Sequence, residues 1–144
     1  MNTIVIKDVH GKDLYWSSRR SFGRVSKKAL VQECVQKGKS LAFADLSGLD
    51  LSNLDLSKGD FRSANFTGAK LDGSKLAGAN FEGAIFLGTK ARGCDGRAVG
   101  FSGATFGLWE DAPFGSEPIE TSFHGTRLTS ANFHDAKIMK ADFG

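Results

Sequence analysis

The side chains with reactive or binding chemistry fall into five groups. Asp45, Asp50, Asp55 and Asp60 stand at a fixed spacing of five, and His124 and His134 stand ten apart. The other three are the cysteines Cys34 and Cys94, the arginines Arg19, Arg20 and Arg24, and the stretch 107–120, GLWEDAPFGSEPIE. Carboxylates hold a metal only where they converge. A histidine acts as general acid or base only within reach of a reacting group. Arginine forks suit phosphate and carboxylate partners. No glycine-rich phosphate loop of the Walker type, HExxH or paired CxxC occurs in the chain, so no catalytic residue, metal site or cofactor is assigned. The stretch 107–120 holds both prolines and four acids, with no base. A long loop in a compact domain is usually functional or disordered, and aromatic residues dominate binding hot spots. Trp109, Glu110, Asp111, Phe114 and Glu117 are therefore candidate partner contacts, with Arg19, Arg20 and Arg24 as a second, basic set.

What positions these residues is a period of five. From residue 39 the chain reads KSLAF ADLSG LDLSN LDLSK GDFRS ANFTG AKLDG SKLAG ANFEG AIFLG TKARG CDGRA VGFSG ATFGL. The third residue of each five is Leu or Phe in all but two, Ala91 and Gly96, and the residue two before it is usually small. A helix needs apolar spacings of three and four, and a flat strand needs two. A period of five instead turns the chain steadily around an axis, and four fives make one squared coil of twenty residues. Residues twenty apart then stack: Phe61, Phe81 and Phe101 in one column, Phe66, Phe86 and Phe106 in the next, with Leu51 and Leu56 below Leu71 and Leu76. The four aspartates would ring one coil on four different walls, which excludes a shared metal. His124 and His134 fall on opposite walls, and Asp135 neighbours His134 in sequence only.

ADLSG at 44–48, ANFTG at 64–68, ANFEG at 79–83 and ANFHD at 131–135 resemble the pentapeptide-repeat family. The resemblance spans about two thirds of the chain. It implies an all-β solenoid, a right-handed quadrilateral β-helix, here covering residues 39–144 and interrupted by a protruding loop at 107–120. If residues 109–120 are an excursion and the coil resumes where it stopped, Phe123 stacks over Ala91, Leu128 over Gly96 and Phe133 over Phe101. Large residues then fill above small ones, which favours this register over one that puts Phe123 above Phe101.

Residues 1–38 lie outside the repeat. TIVIK at 3–7 and Leu14–Trp16 read as a hairpin around His10-Gly11, with Tyr15 and Trp16 as hairpin packing. Ser26 reads as the N-cap of a helix to about Lys37, stopped at Gly38, with Leu30, Val31, Cys34 and Val35 as its apolar stripe. The segment reads as a lid over the first coil, since solenoid ends need polar caps. At the other end Phe133, Ile138 and Phe143 are left uncovered, which suggests a homodimer through the C-terminal coil. Residues 1–40 hold nine Lys or Arg against three Asp or Glu, a charge of +6, whereas residues 41–144 carry ten against thirteen, −3. Two cysteines make no disulfide framework, no run of eighteen apolar residues occurs, and the start lacks a signal-peptide layout, so the expected compartment is the cytoplasm.

These features point to a non-catalytic binding protein whose partner is another protein. The helix leading straight into the repeat resembles small proteins of phages and mobile elements. That implies an inhibitor of a host nucleic-acid-handling enzyme or defence complex, of the anti-CRISPR type. Family members that mimic duplex DNA and modulate DNA gyrase are the alternative, but they present rows of negative charge. Here the walls also carry Lys58, Arg62, Lys70, Lys75, Lys90, Arg92 and Arg97. A structural or assembly role and direct nucleic-acid binding through the arginines complete the possibilities.

Overall fold

Every fifth backbone position in the repeat carries the same hydrogen-bond duty. The computed structural model describes residues 3–17, 26–110 and 118–144. In the repeat region, the residue before each inward centre forms a parallel bridge to its equivalent in the next coil. Four ladders result, which we call walls one to four. They run Asp60–Asn80–Gly100–Asn132, Asp45–Asn65–Ile85–Thr105–Lys137, Asp50–Lys70–Lys90–Ser122–Asp142, and Asp55–Lys75–Asp95–Arg127. Where bridges lengthen into strands they form β3 (Ile85–Leu87), β4 (Thr105–Trp109), β5 (Ile119–Ser122), β6 (Lys137–Ile138) and β7 (Ala141–Asp142).

The fifth residue of each unit is less free than the repeat suggests. At most centres the carbonyl accepts from the N–H three residues on, as from Ala64 to Phe61 at 3.1 Å, and the second of the two residues between them takes a positive φ. That is a type II turn, whose third position favours glycine or asparagine. Gly68 and Gly78 occupy it at φ +66° and +68°, and Asn53 at +58°. A glycine at the fifth position was the available signal.

Inside, the columns stack as the period predicts. Phe61, Phe81 and Phe101 are fully buried, with centroids 5.1 and 5.4 Å apart and rings near parallel. Phe66, Phe86 and Phe106 stack at 5.2 and 5.1 Å. Adjacent columns meet edge to face, as Phe66 and Phe81 do at 5.4 Å and 71°. Each geometry adds about 0.5–1.5 kcal/mol beyond area burial. The small inward position is not always apolar. Ser74 and Thr89 are buried there, and their hydroxyls donate to the carbonyls of Leu51 and Phe66 at 2.8 and 2.7 Å.

Lys90, Asp95 and Gly100 pair with Ser122, Arg127 and Asn132, so the coil resumes after the excursion where it stopped. Phe101 stacks on Phe133 at 5.1 Å, and Phe123 stacks on Phe143 at 5.5 Å. Leu128 fills the space over Gly96, where an added Cβ would stand 3.1 Å from its Cδ2. The excursion is shorter than the expected loop 107–120. Leu108 and Trp109 of β4 pair antiparallel with Glu120 and Ile119 of β5, because strand hydrogen bonding continues past the last parallel rung.

At the N-terminus β1 (Ile4–Lys7) and β2 (Asp13–Ser17) form an antiparallel hairpin. The α-helix α1 (Lys27–Gln36) begins at Ser26, whose hydroxyl accepts from Ala29 N–H at 3.1 Å, and it buries Leu30, Val31 and Cys34. These elements are joined to the first coils. Asp45 N–H donates to the Lys7 carbonyl at 2.8 Å, and the Gln32 amide bonds the backbone of Asp55 through both its atoms. Tyr15 donates to the Ser40 carbonyl at 2.8 Å. Trp16 does not pack. Strand alternation turns it outward, 67% exposed, which corrects the expectation made for it.

Candidate functional site

The aspartates of the first coil do local work. Asp45, Asp50 and Asp55 each accept from the backbone N–H two residues on, in Ser47, Ser52 and Ser57, at 3.0–3.1 Å. They brace the turns, as Asx side chains commonly do. Asp60 does this too and also holds Arg62 through both its oxygens, at 2.8 and 2.9 Å. Chiefly that guanidinium, helped by Ser40 and opposed by partial burial, holds the Asp60 carboxyl down at about 2. Arg97 on Asp95 repeats the arrangement, and Arg92 makes the same fork to Asp72 of the neighbouring coil, each with a closest approach of 2.7 Å; both guanidiniums lower the carboxyls they hold. Walls one, three and four thus each carry an arginine–aspartate pair.

Wall two carries no such pair. Its middle rungs present Asn65, Thr67, Ile85, Leu87 and Thr105. Beside them β4 leaves the coil, and the Trp109 ring folds back along the wall's corner. A Cβ added at Gly68 would collide with that ring, and one at Gly88 would stand 2.7 Å from the Trp109 Cβ. Glycine at both positions is what lets the indole lie down. Between this flank and the next coil runs a groove of about 480 Å³. Leu87 and Thr105 line it from the wall, Leu108 and Trp109 from the excursion, and Met139 from the coil above. Glu110 and Lys140 border it with opposite charges. A concave apolar surface with a few polar groups at its margin is the usual form of a binding site.

Trp109 and Glu110 of the expected contacts are thus brought together, though Trp109 is half-buried against the wall and not projected on a loop. Asp111, Phe114, Glu117, Arg19, Arg20 and Arg24 lie outside the described residues. Sequence reasoning missed Leu87, Met139 and Lys140. The signal for Leu87 was AIFLG at 84–88, where Ile85 and Leu87 replace the usual polar residues; Met139 needed the register across the excursion.

The two histidines stand on walls three and one, as expected. His134 Nδ1 nevertheless lies 3.0 Å from an Asp135 carboxylate oxygen, so that pair meets in space, because the turn folds one side chain back on the other. Both side chains are well exposed. Among the described residues no group of three or more His, Cys, Asp or Glu is placed to hold a metal ion. Cys34 and Cys94 are both buried. Burial pushes the Cys94 thiol up to about 11, so it stays protonated and donates to the Leu71 carbonyl. Among the described residues no helix is long and apolar enough to cross a membrane.

The profile of the family described as Pentapeptide repeats matches in eight copies, over residues 40–76, 74–107 and 119–144. No curated protein matches the sequence. Among solved structures the chain is similar to Rfr23, a pentapeptide repeat protein of the cyanobacterium Cyanothece 51142. The two share 19% identity over 69% of this chain and 64% of that one, with a TM-score of 0.43. QnrB1, a plasmid-mediated fluoroquinolone resistance protein, is 22% identical over 67% of this chain and 56% of its own, with a TM-score of 0.41. A pentapeptide repeat protein from Nostoc Pcc 7120 is 22% identical over 76% of this chain and 74% of that one, with a TM-score of 0.35. The chain therefore spans less than two thirds of the length of the first two.

Proposed function

The chain belongs to the Pentapeptide repeats family, and on that premise we propose that it is a non-catalytic protein-binding scaffold, acting in the cytoplasm as an inhibitor of a nucleic-acid-handling enzyme or defence complex. In this reading residues 39–144 form a right-handed quadrilateral β-helix, and residues 1–38 close its first coil as a lid. The observation that carries the binding role is the groove beside Trp109, apolar inside and bordered by Glu110 and Lys140. The class of partner rests on the resemblance of the helix-then-repeat layout to small proteins of phages and mobile elements.

Duplex mimicry is the weaker reading. A mimic needs unpaired negative charge in rows, because phosphate charge dominates recognition of DNA-binding surfaces. Here Arg62, Arg92 and Arg97 neutralise Asp60, Asp72 and Asp95.

The test is affinity capture from a host lysate with the wild-type chain and with a Trp109→Ala, Met139→Ser variant, followed by titration of the captured enzyme. A stoichiometric nucleic-acid-handling partner, inhibited by the wild type and lost with the variant, is the expected result. No stoichiometric partner, or capture indifferent to the two substitutions, overturns the proposal. Inhibition of DNA supercoiling by gyrase would favour the mimic instead.

A further inference from the structure

Among the described residues, three exposed large apolar side chains border wall two: Phe43 at its foot, Ile85 at its middle and Met139 beside its fifth rung; Ile138 is an inward centre, bared only in the hollow of the last coil. The wall's charges are ordered along the axis. The ladder runs Asp45, Asn65, Ile85, Thr105, Lys137, so an acid stands two rungs to one side of Ile85 and a base two rungs to the other. At about 4.8 Å per rung, each charge is roughly 10 Å from Ile85.

We infer that wall two is self-complementary: two copies pair antiparallel through it, about a two-fold axis at Ile85, with Asp45 of each copy facing Lys137 of the other. A two-fold interface uses the same patch on both subunits and must be self-complementary. An apolar centre with opposite charges equidistant from it meets that requirement only in the antiparallel sense. Parallel pairing would set Asp45 against Asp45 and Lys137 against Lys137. Such rim charges contribute little affinity but set orientation and register. Walls one, three and four spend acids on their own arginines, and wall four, whose charges Asp55, Lys75, Asp95 and Arg127 would also match antiparallel, has no apolar residue at its middle.

Five rungs span only about 19 Å, short of an interface of about 800 Å² per partner, so the dimer is weak, with a Kd on the order of 10 μM. The groove opens on the same wall, so pairing covers it. Where the proposed function holds, self-association and partner capture therefore compete; the pairing itself does not rest on that reading.

The test is sedimentation velocity with light scattering on the whole chain at roughly 1–500 μM, spanning the estimated Kd. The wild type should show a monomer–dimer equilibrium. Ile85→Lys should remain monomeric, with an unchanged circular-dichroism melt because the position is already exposed. Asp45→Lys should weaken pairing roughly tenfold, and adding Lys137→Asp should restore it to within about threefold of the wild type. A wild type that is monomeric throughout overturns the inference. So does a dimer unaffected by Ile85→Lys, which would instead indicate the apolar hollow of Leu128, Phe133, Ile138 and Phe143 on the last coil. So does failure of the double charge swap to restore pairing. Ile85 does not line the groove, so Ile85→Lys should still capture a partner. Monomeric wild type with partner capture intact refutes the pairing alone, and a dimer without any captured partner refutes the proposed function alone.

Discussion

The lock between Trp109 and the coil can be measured with one methyl group. Gly68 and Gly78 occupy the same turn position at φ +66° and +68°. Their surroundings differ. A Cβ at Gly78 would meet only the Lys58 Cγ at 3.6 Å, whereas one at Gly68 collides with the Trp109 ring. Gly78→Ala therefore isolates the left-handed backbone penalty, about 1–2 kcal/mol. Gly68→Ala carries that penalty and also lifts the indole off the wall. Full burial of a large apolar side chain is worth about 1.5–3 kcal/mol, and Trp109 is only partly covered. The extra loss should thus be about 1–2 kcal/mol. Urea unfolding of both variants, alone and in a Trp109→Ala background, separates the two contributions. The excess for Gly68→Ala should vanish once the ring is gone, and its native tryptophan emission should shift to the red. Equal destabilisation of the two glycine variants, with unchanged emission, would refute the claim that the indole is seated by glycine. The groove would then be shaped by something other than that contact.

Three further outcomes follow from the core and the walls. Phe81→Ala removes a fully buried ring stacked between Phe61 and Phe101, so chemical denaturation should show a loss of about 3–5 kcal/mol, whereas an exposed wall change such as Glu82→Gln should stay within about 0.5 kcal/mol. The Asp60 carboxyl is held below its unfolded value of about 3.9, at about 2, so its stabilisation is full above about pH 4 and fades as pH falls toward about 2. The difference in melting temperature between wild type and Asp60→Asn should therefore shrink over that window, and a constant difference would contradict the ion-pair assignment. Cys34 and Cys94 are buried, and both thiols are pushed up chiefly by burial. Ellman's reagent should label neither thiol in the native protein and both in denaturant, and rapid native labelling would show that the core opens.

Much of the architecture was legible without coordinates because one physical demand repeats. An inward Leu or Phe every fifth residue leaves a single way to stack, and Ala91 and Gly96 then select the register in which Phe123 and Leu128 fill the gaps. The helix was legible through Ser26 and Gly38, since both its ends depend on local backbone chemistry. The candidate site was not. Trp109 and Glu110 stood out by composition, but which way the ring would turn depended on Gly88 and Gly68, one and two coils away. Met139 reached the groove only because strand pairing carried the chain across the excursion. The aspartates of the first coil looked like a ring of free charge. They proved to be turn braces, and Asp60 an arginine partner as well, because each carboxylate lies nearest the N–H groups of its own turn. Period and volume act along the chain and can be read from it. The direction of an exposed side chain depends on neighbours twenty and forty residues away, and only the stacked coils bring those neighbours to it.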